Sequence, residues 1–164
     1  MKFCKLIIAH PANTASGFSG TLMQKVTCDA SGNITGRGDY TLSFRSTEFA
    51  DENEGGGWPR DGVAGADGEM AAYGFALAQI ADMKASFREP RGDRPKADGT
   101  YGTLLPGSVN YNVTGYSLGG HLATAFNILQ REEQQAGLLE NGIPIFSTTT
   151  FNGAGVGDCR PERR

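Results

Sequence analysis

The sequence predicts an α/β fold: a mostly parallel sheet, entered through an antiparallel hairpin and flanked by helices. Three observations predict it. Period-two and period-3.6 hydrophobic patterns alternate along the chain. Two alternating runs near the start are separated by the turn-dense CDASGNITGRGD. At VTGYSLGGHL, residues 113–122, a strand pattern runs into a helix pattern with almost nothing between them.

In chain order, Phe18, Leu22 and Val26 share one parity within residues 17–26 and predict a half-buried strand. In YTLSFR, Tyr40, Leu42 and Phe44 alternate with Thr41, Ser43 and Arg45, which predicts its hairpin partner. Residues 48–68 are long, acidic and glycine-rich, with neither period, and predict a functional or mobile loop whose large apolar anchor is Trp58. A single helix is expected over about 69–87, with Met70, Tyr73, Leu77, Ile80 and Phe87 near one face and Gly74 weakening it. Residues 89–108 carry three prolines and read as loop. Val109, Tyr111 and Val113 then alternate as a strand, and a second helix is expected over about 118–133, turning Leu122, Ala125, Phe126 and Leu129 inward. GIPIFSTTTF is the last strand.

The 164 residues suit one domain, and 24 glycines indicate many tight turns. A net charge of −3 with scattered basic residues argues against a nucleic-acid partner. No run reaches the length of a membrane span, and the apolar patch in MKFCKLIIAHP is too short for an ordinary export signal. Cys4, Cys28 and Cys159 match no zinc spacing; an odd count leaves at least one thiol unpaired, and three thiols are the preferred reading. Asn33-Ile34-Thr35 and Asn112-Val113-Thr114 fit a glycosylation pattern that matters only in a eukaryotic secretory chain. Asp61, Asp67 and Glu69 fit neither known calcium-loop spacing, and no Gly-x-Gly-x-x-Gly or Walker lysine is placed for phosphate, so no metal or organic cofactor is expected.

Gly115-x-Ser117-x-Gly119 is the element with chemical content. A strand that feeds directly into a helix forces a tight turn. Glycines two residues to either side remove the bulk that would block it. The hydroxyl then stands above the C-terminal edge of the sheet, at a helix N-terminus whose free amides and partial positive charge suit a developing oxyanion. The alternative is a glycine-rich turn in which the serine only caps the helix.

TGYSLGGHLA resembles the nucleophile elbow of the class 3 lipases, the fungal triacylglycerol-lipase type and its bacterial relatives. SFRSTEF resembles that family's strand ending in Phe-Arg-Gly-Thr or Phe-Arg-Gly-Ser, and TTTFNGAGVGD its strand and turn Thr-Phe-x-x-Pro-x-Val-Gly. The three motifs stand in the family's order between Phe18 and about Asp158. The resemblance implies an α/β-hydrolase core and a lipase or esterase cleaving carboxylic esters through an acyl-enzyme on Ser117. It further implies an oxyanion hole from the backbone amide of Leu118 and from Thr47, with Ser46 standing where the family has glycine. FRST, GFALAQIADM and GYSLGGHLATAF are most similar to versions in large bacterial secreted proteins, so the resemblance suggests secretion while the sequence itself leaves the compartment open.

The family's triad acid and base lie beyond the last matched strand, so the resemblance covers the front two-thirds of a lipase domain and predicts a partial one. Asp158 matches only an accessory position. Of the two histidines, His121 lies one helical turn after Ser117 and is read as structural, while His10 precedes the serine; both are carried as candidate bases from outside the usual chain order. Residues 48–68 make a poor lipid-facing lid, favouring soluble or short-chain esters over bulk triglyceride, with peripheral lipid contact left open. The alternative function is a catalytically weak or inactive hydrolase-fold scaffold that self-associates or takes a partner through an open sheet edge.

Overall fold

The computed structural model describes residues 2–9, 14–47, 65–88, 111–136 and 145–156. Within them, five strands form one sheet in the spatial order β1-β2-β3-β4-β5: Lys2–Ala9, Gly20–Cys28, Ile34–Phe44, Tyr111–Tyr116 and Ile145–Phe151. Three helices accompany it, α1 (Ala66–Tyr73), α2 (Leu77–Arg88) and α3 (Leu118–Gln135). The chain is therefore a mixed α/β fold.

The pairing corrects the expectation of a mostly parallel sheet. β1–β2 and β2–β3 are antiparallel, whereas β3–β4 and β4–β5 are parallel. The difference comes from β1. Its KFCKLIIA lacks strict alternation, yet it pairs along β2 from Lys2 opposite Cys28 to Ala9 opposite Leu22, with a bulge between Ile7 and Ala9. That register sets Cys4 opposite Val26 and Cys28 opposite Lys2, so the two cysteines are not direct cross-strand partners.

The expected hairpin is present. Its turn is built on Asp29, whose carboxylate accepts the backbone N–H groups of Ser31 and Asn33 at 2.9 Å each, while Gly32 takes a left-handed φ of +87°. The expected single helix is two. Gly74 adopts φ +77° and returns its N–H to Met70 O at 2.8 Å, a left-handed C-cap that ends α1. Helix α2 restarts at Leu77, and Glu69 of α1 accepts the Ala78 N–H at 3.0 Å. A glycine read as a weak point thus terminates a helix.

The core lies on one face of the sheet. Leu22, Tyr40, Leu42, Phe44, Tyr111 and Val113 pack against Leu118, Leu122 and Phe126 of α3, with Ala66 of α1 and Met83 of α2 in the same cluster. Phe44 meets Phe126 edge-on at 5.7 Å and Phe18 in a tilted pair at 5.8 Å. A 2.7 Å ion pair between Lys84 and Glu133 ties α2 to α3, and Asn127 donates to Thr148 at 2.6 Å, tying α3 to β5. The opposite face is polar toward β4 and β5: Asn112 and Thr114 stand opposite Ser147 and Thr149. Strand β3, the β4–α3 junction and the end of β5 thereby meet at one edge of the sheet.

Candidate active site at the strand–helix elbow

Ser117 occupies the single residue between β4 and α3, half-buried, with φ +50°. Besides Asn152, at φ +48°, it is the only non-glycine residue among those described in the left-handed region. An L-residue there costs roughly 1–3 kcal/mol, so surrounding structure must hold it. Its N–H donates to Phe151 O at 2.9 Å, across the parallel β4–β5 pair, and its carbonyl accepts the His121 N–H at 3.1 Å as α3 begins. Strand hydrogen bonding on one side and helix hydrogen bonding on the other leave the serine no relaxed alternative.

The glycines explain how the turn closes. A β-carbon on Gly115 would lie 2.0 Å from Gly119 O, and one on Gly119 would lie 2.3 Å from Phe44 O and 2.8 Å from Arg45 O. On Gly120 it would meet the Gly153 Cα at 2.8 Å. Gly115 and Gly119 are thus required by the elbow itself. Gly119 also lets the first turn of α3 touch the exit of β3, and Gly120 lets it touch the exit of β5.

That contact positions the remaining sequence-predicted residues. Leu118 is buried as the first residue of α3, and its amide is one of the first-turn N–H groups that have no partner within a helix. Thr47 is half-buried, three residues past the end of β3. The course of its loop is set by Arg45, whose backbone N–H donates to Ser19 O at 3.0 Å and whose guanidinium donates to Gly17 O at 3.2 Å. Both residues therefore belong to segments that converge at the elbow.

His121 is fully buried, and its ring is committed elsewhere. Nε2 accepts the backbone N–H of Ala76 at 3.3 Å, which requires Nε2 to be unprotonated. Nδ1 therefore carries the proton and donates to Gly155 O at 3.0 Å. Burial holds the imidazole below the ordinary histidine value, against the backbone carbonyls of Gly155 and Ala154, which pull it up. With both nitrogens bonded to main chain, His121 is not placed as the base for Ser117, and its candidacy is corrected on that ground. His10, Asp158 and Trp58 lie outside the described residues. Asp67 and Glu69 lie in the first turn of α1, not in a loop.

Sequence reasoning missed three participants. The Ala76 amide, the Gly155 carbonyl and the close approach of Gly153 to Gly120 are all main-chain features, with no side-chain signature to read. Tyr116 and Phe151 were likewise not singled out. They are cross-strand partners flanking the serine, and they are 57% and 58% exposed.

Compared with family models, with curated proteins and with solved structures, the chain gives no match. The resemblance to class 3 lipases accordingly rests on its three motifs.

Proposed function

We propose that the chain is a lipase- or esterase-type serine hydrolase with an α/β-hydrolase-type core. In this reading Ser117 attacks the ester carbonyl, the Leu118 amide and Thr47 hold the oxyanion, and water releases the acyl-enzyme. The observation that carries it is the left-handed Ser117, held between glycines whose replacement would drive a β-carbon into main chain. A serine that only capped α3 would sit in the extended region favoured at helix N-caps, and would gain nothing from strain. Reagent-accessible hydroxyl, helix N-terminal amides and a converging β3 exit are the parts an acyl-transfer site needs on its nucleophile side. Half-burial of Ser117 is compatible with a small ester reaching it.

The test is intact mass after incubation with a fluorophosphonate, beside Ser117→Ala. One adduct, lost in the variant, supports the nucleophile; folded protein that takes no adduct rejects it.

A second reading is a catalytically silent scaffold that associates with itself or a partner. It is favoured by two observations: among the described residues no histidine has a ring nitrogen left for Ser117, and Tyr116 and Phe151 expose aromatic surface beside it. Light scattering beside the labelling test separates the hydrolase from the self-associating form: a stable associated species that takes no adduct supports the scaffold, and a monomer that takes the adduct supports the hydrolase.

A further inference from the structure

We infer that His121 is a positioning residue, a neutral clasp that holds three segments together beneath Ser117 and is opened by acid. The clasp stands on its own geometry; its consequence for Ser117 rests on the hydrolase reading.

The ring joins parts of the chain that no secondary-structure ladder connects. His121 belongs to the first turn of α3, and its own N–H bonds to Ser117 O. Through Nε2 it receives the N–H of Ala76, at the break between α1 and α2. Through its Nδ1–H it donates a hydrogen bond to Gly155 O, past the end of β5. Phe75 meets the imidazole edge-on at 6.0 Å, and Ala76 is fully buried beside it. The left-handed C-cap at Gly74 is what exposes the Ala76 amide for this bond. The break in the helix and the buried histidine are thus two halves of one feature.

Only the neutral, Nδ1-protonated ring fits. A second proton would set an Nε2–H donor against the Ala76 N–H donor where both residues are fully buried. The Ala76 bond must then break, and with it the link between α3 and the α1–α2 junction. Among the described residues, no carboxylate stands ready to compensate the charge. Charged groups on the packed elements have partners of their own: Glu69 of α1 accepts the Ala78 N–H, Asp82 of α2 accepts the Ser16 hydroxyl at 2.6 Å, and Lys84 of α2 pairs with Glu133 of α3. Past the end of β5, the group the ring meets is the Gly155 main-chain carbonyl.

Two variants divide the clasp. His121→Asn retains a donor toward Gly155 O and loses the acceptor for Ala76, whereas His121→Gln retains an acceptor for Ala76 and loses the Nδ1 donor. Neither titrates. Long-range proton–nitrogen spectra of the wild type report the charge and tautomer of each imidazole, and the His121 signals are those absent from the variants. Hydrogen exchange at Ala76 and at residues 117–120 is followed over the same pH series. The expected result is a neutral Nδ1-protonated ring that takes up its second proton at lower pH than an ordinary histidine does. Its protonation on further acidification should coincide with faster exchange at Ala76, and neither variant should show that coupled step. In the variants fluorophosphonate labelling at neutral pH should slow by about tenfold or more, as expected when a nucleophile loses its fixed position. A ring that is Nε2-protonated, is charged at neutral pH, or titrates with Ala76 exchange unchanged overturns the clasp. Should the variants fail to fold, the wild-type tautomer and exchange data decide alone. An intact clasp on a protein that takes no adduct overturns only the hydrolase reading, and an adduct on a protein whose ring titrates uncoupled overturns only the clasp.

Discussion

Replacing Gly119 with alanine sets two effects of opposite sign against each other. Gly119 is the second residue of α3, and by helix propensity alone alanine should stabilise it by roughly 1 kcal/mol. The new β-carbon, however, would lie 2.3 Å from Phe44 O and 2.8 Å from Arg45 O, where real β-carbons essentially never come within 3.0 Å. Both clashing atoms are main chain at the end of β3, so no rotamer change relieves them. Strand and helix must part by at least several tenths of an ångström. Overpacking of this kind costs roughly 3 kcal/mol, the upper end of the usual range, so the net expectation is a loss of about 2 kcal/mol. For a domain of this size that lowers Tm by about 4–8 °C. Because the displaced strand leads to Thr47, fluorophosphonate labelling of Ser117 should also fall by about 100-fold, the usual consequence of a misplacement near 1 Å. The assays are thermal unfolding by circular dichroism and labelling rate by intact mass. Gly155→Ala is the control: its β-carbon would meet nothing within 4 Å, and Tm should be unchanged. A Gly119→Ala protein as stable as wild type, or more so, would refute the close-approach argument and leave propensity in charge.

Further outcomes are expected from the same geometry. Ser117→Gly should end labelling yet raise stability by about 1 kcal/mol in urea unfolding, because relief of the left-handed strain outweighs glycine's larger unfolded-state entropy; a destabilised variant would mean the serine is not strained. Tyr111→Phe should be neutral or stabilising by about 1 kcal/mol in the same assay, since the Tyr111 hydroxyl is buried with no hydrogen-bond partner among the described residues. Burial, with Tyr40 nearby, also raises the Tyr111 pKa well above the ordinary tyrosine value of 10. Its contribution is therefore present below pH 10 and lost as pH rises through the folded value, and Tyr111→Phe should remove that alkaline loss. His121 has the opposite sense. Its folded pKa is depressed below 6.5 by burial, so the unfolded chain binds the extra proton first. The stability it contributes is complete above about pH 6.5 and falls as pH drops from there through the folded value, a slope that urea midpoints should show in wild type and not in His121→Asn.

Local patterns made much of this fold legible. Alternation in residues 40–44 marks the buried side of β3, where Tyr40, Leu42 and Phe44 are all buried. The α3 stripe Leu122, Ala125, Phe126 is buried as its spacing implies. The elbow was readable because each of its requirements acts within five residues: glycine at 115 and 119 to admit a neighbouring backbone, and one residue between strand and helix. The helix break was not readable from Gly74 alone. A glycine inside an apolar period is tolerated or terminating depending on what receives the next amides, and here those receivers are His121, 45 residues away, and the Glu69 carboxylate.

By itself, then, the sequence determined the alternating α/β order, the buried faces of β2, β3 and β4 and the presence of a sterically cleared serine turn, because these depend on neighbours along the chain. Tertiary structure decided that β1 joins the sheet and makes half its pairings antiparallel, and that the segments bearing Thr47 and Leu118 converge. It also took His121 out of the candidate bases by bonding both ring nitrogens to main chain. Those outcomes turn on backbone donors and acceptors from distant segments, which every residue type supplies and no side-chain pattern encodes.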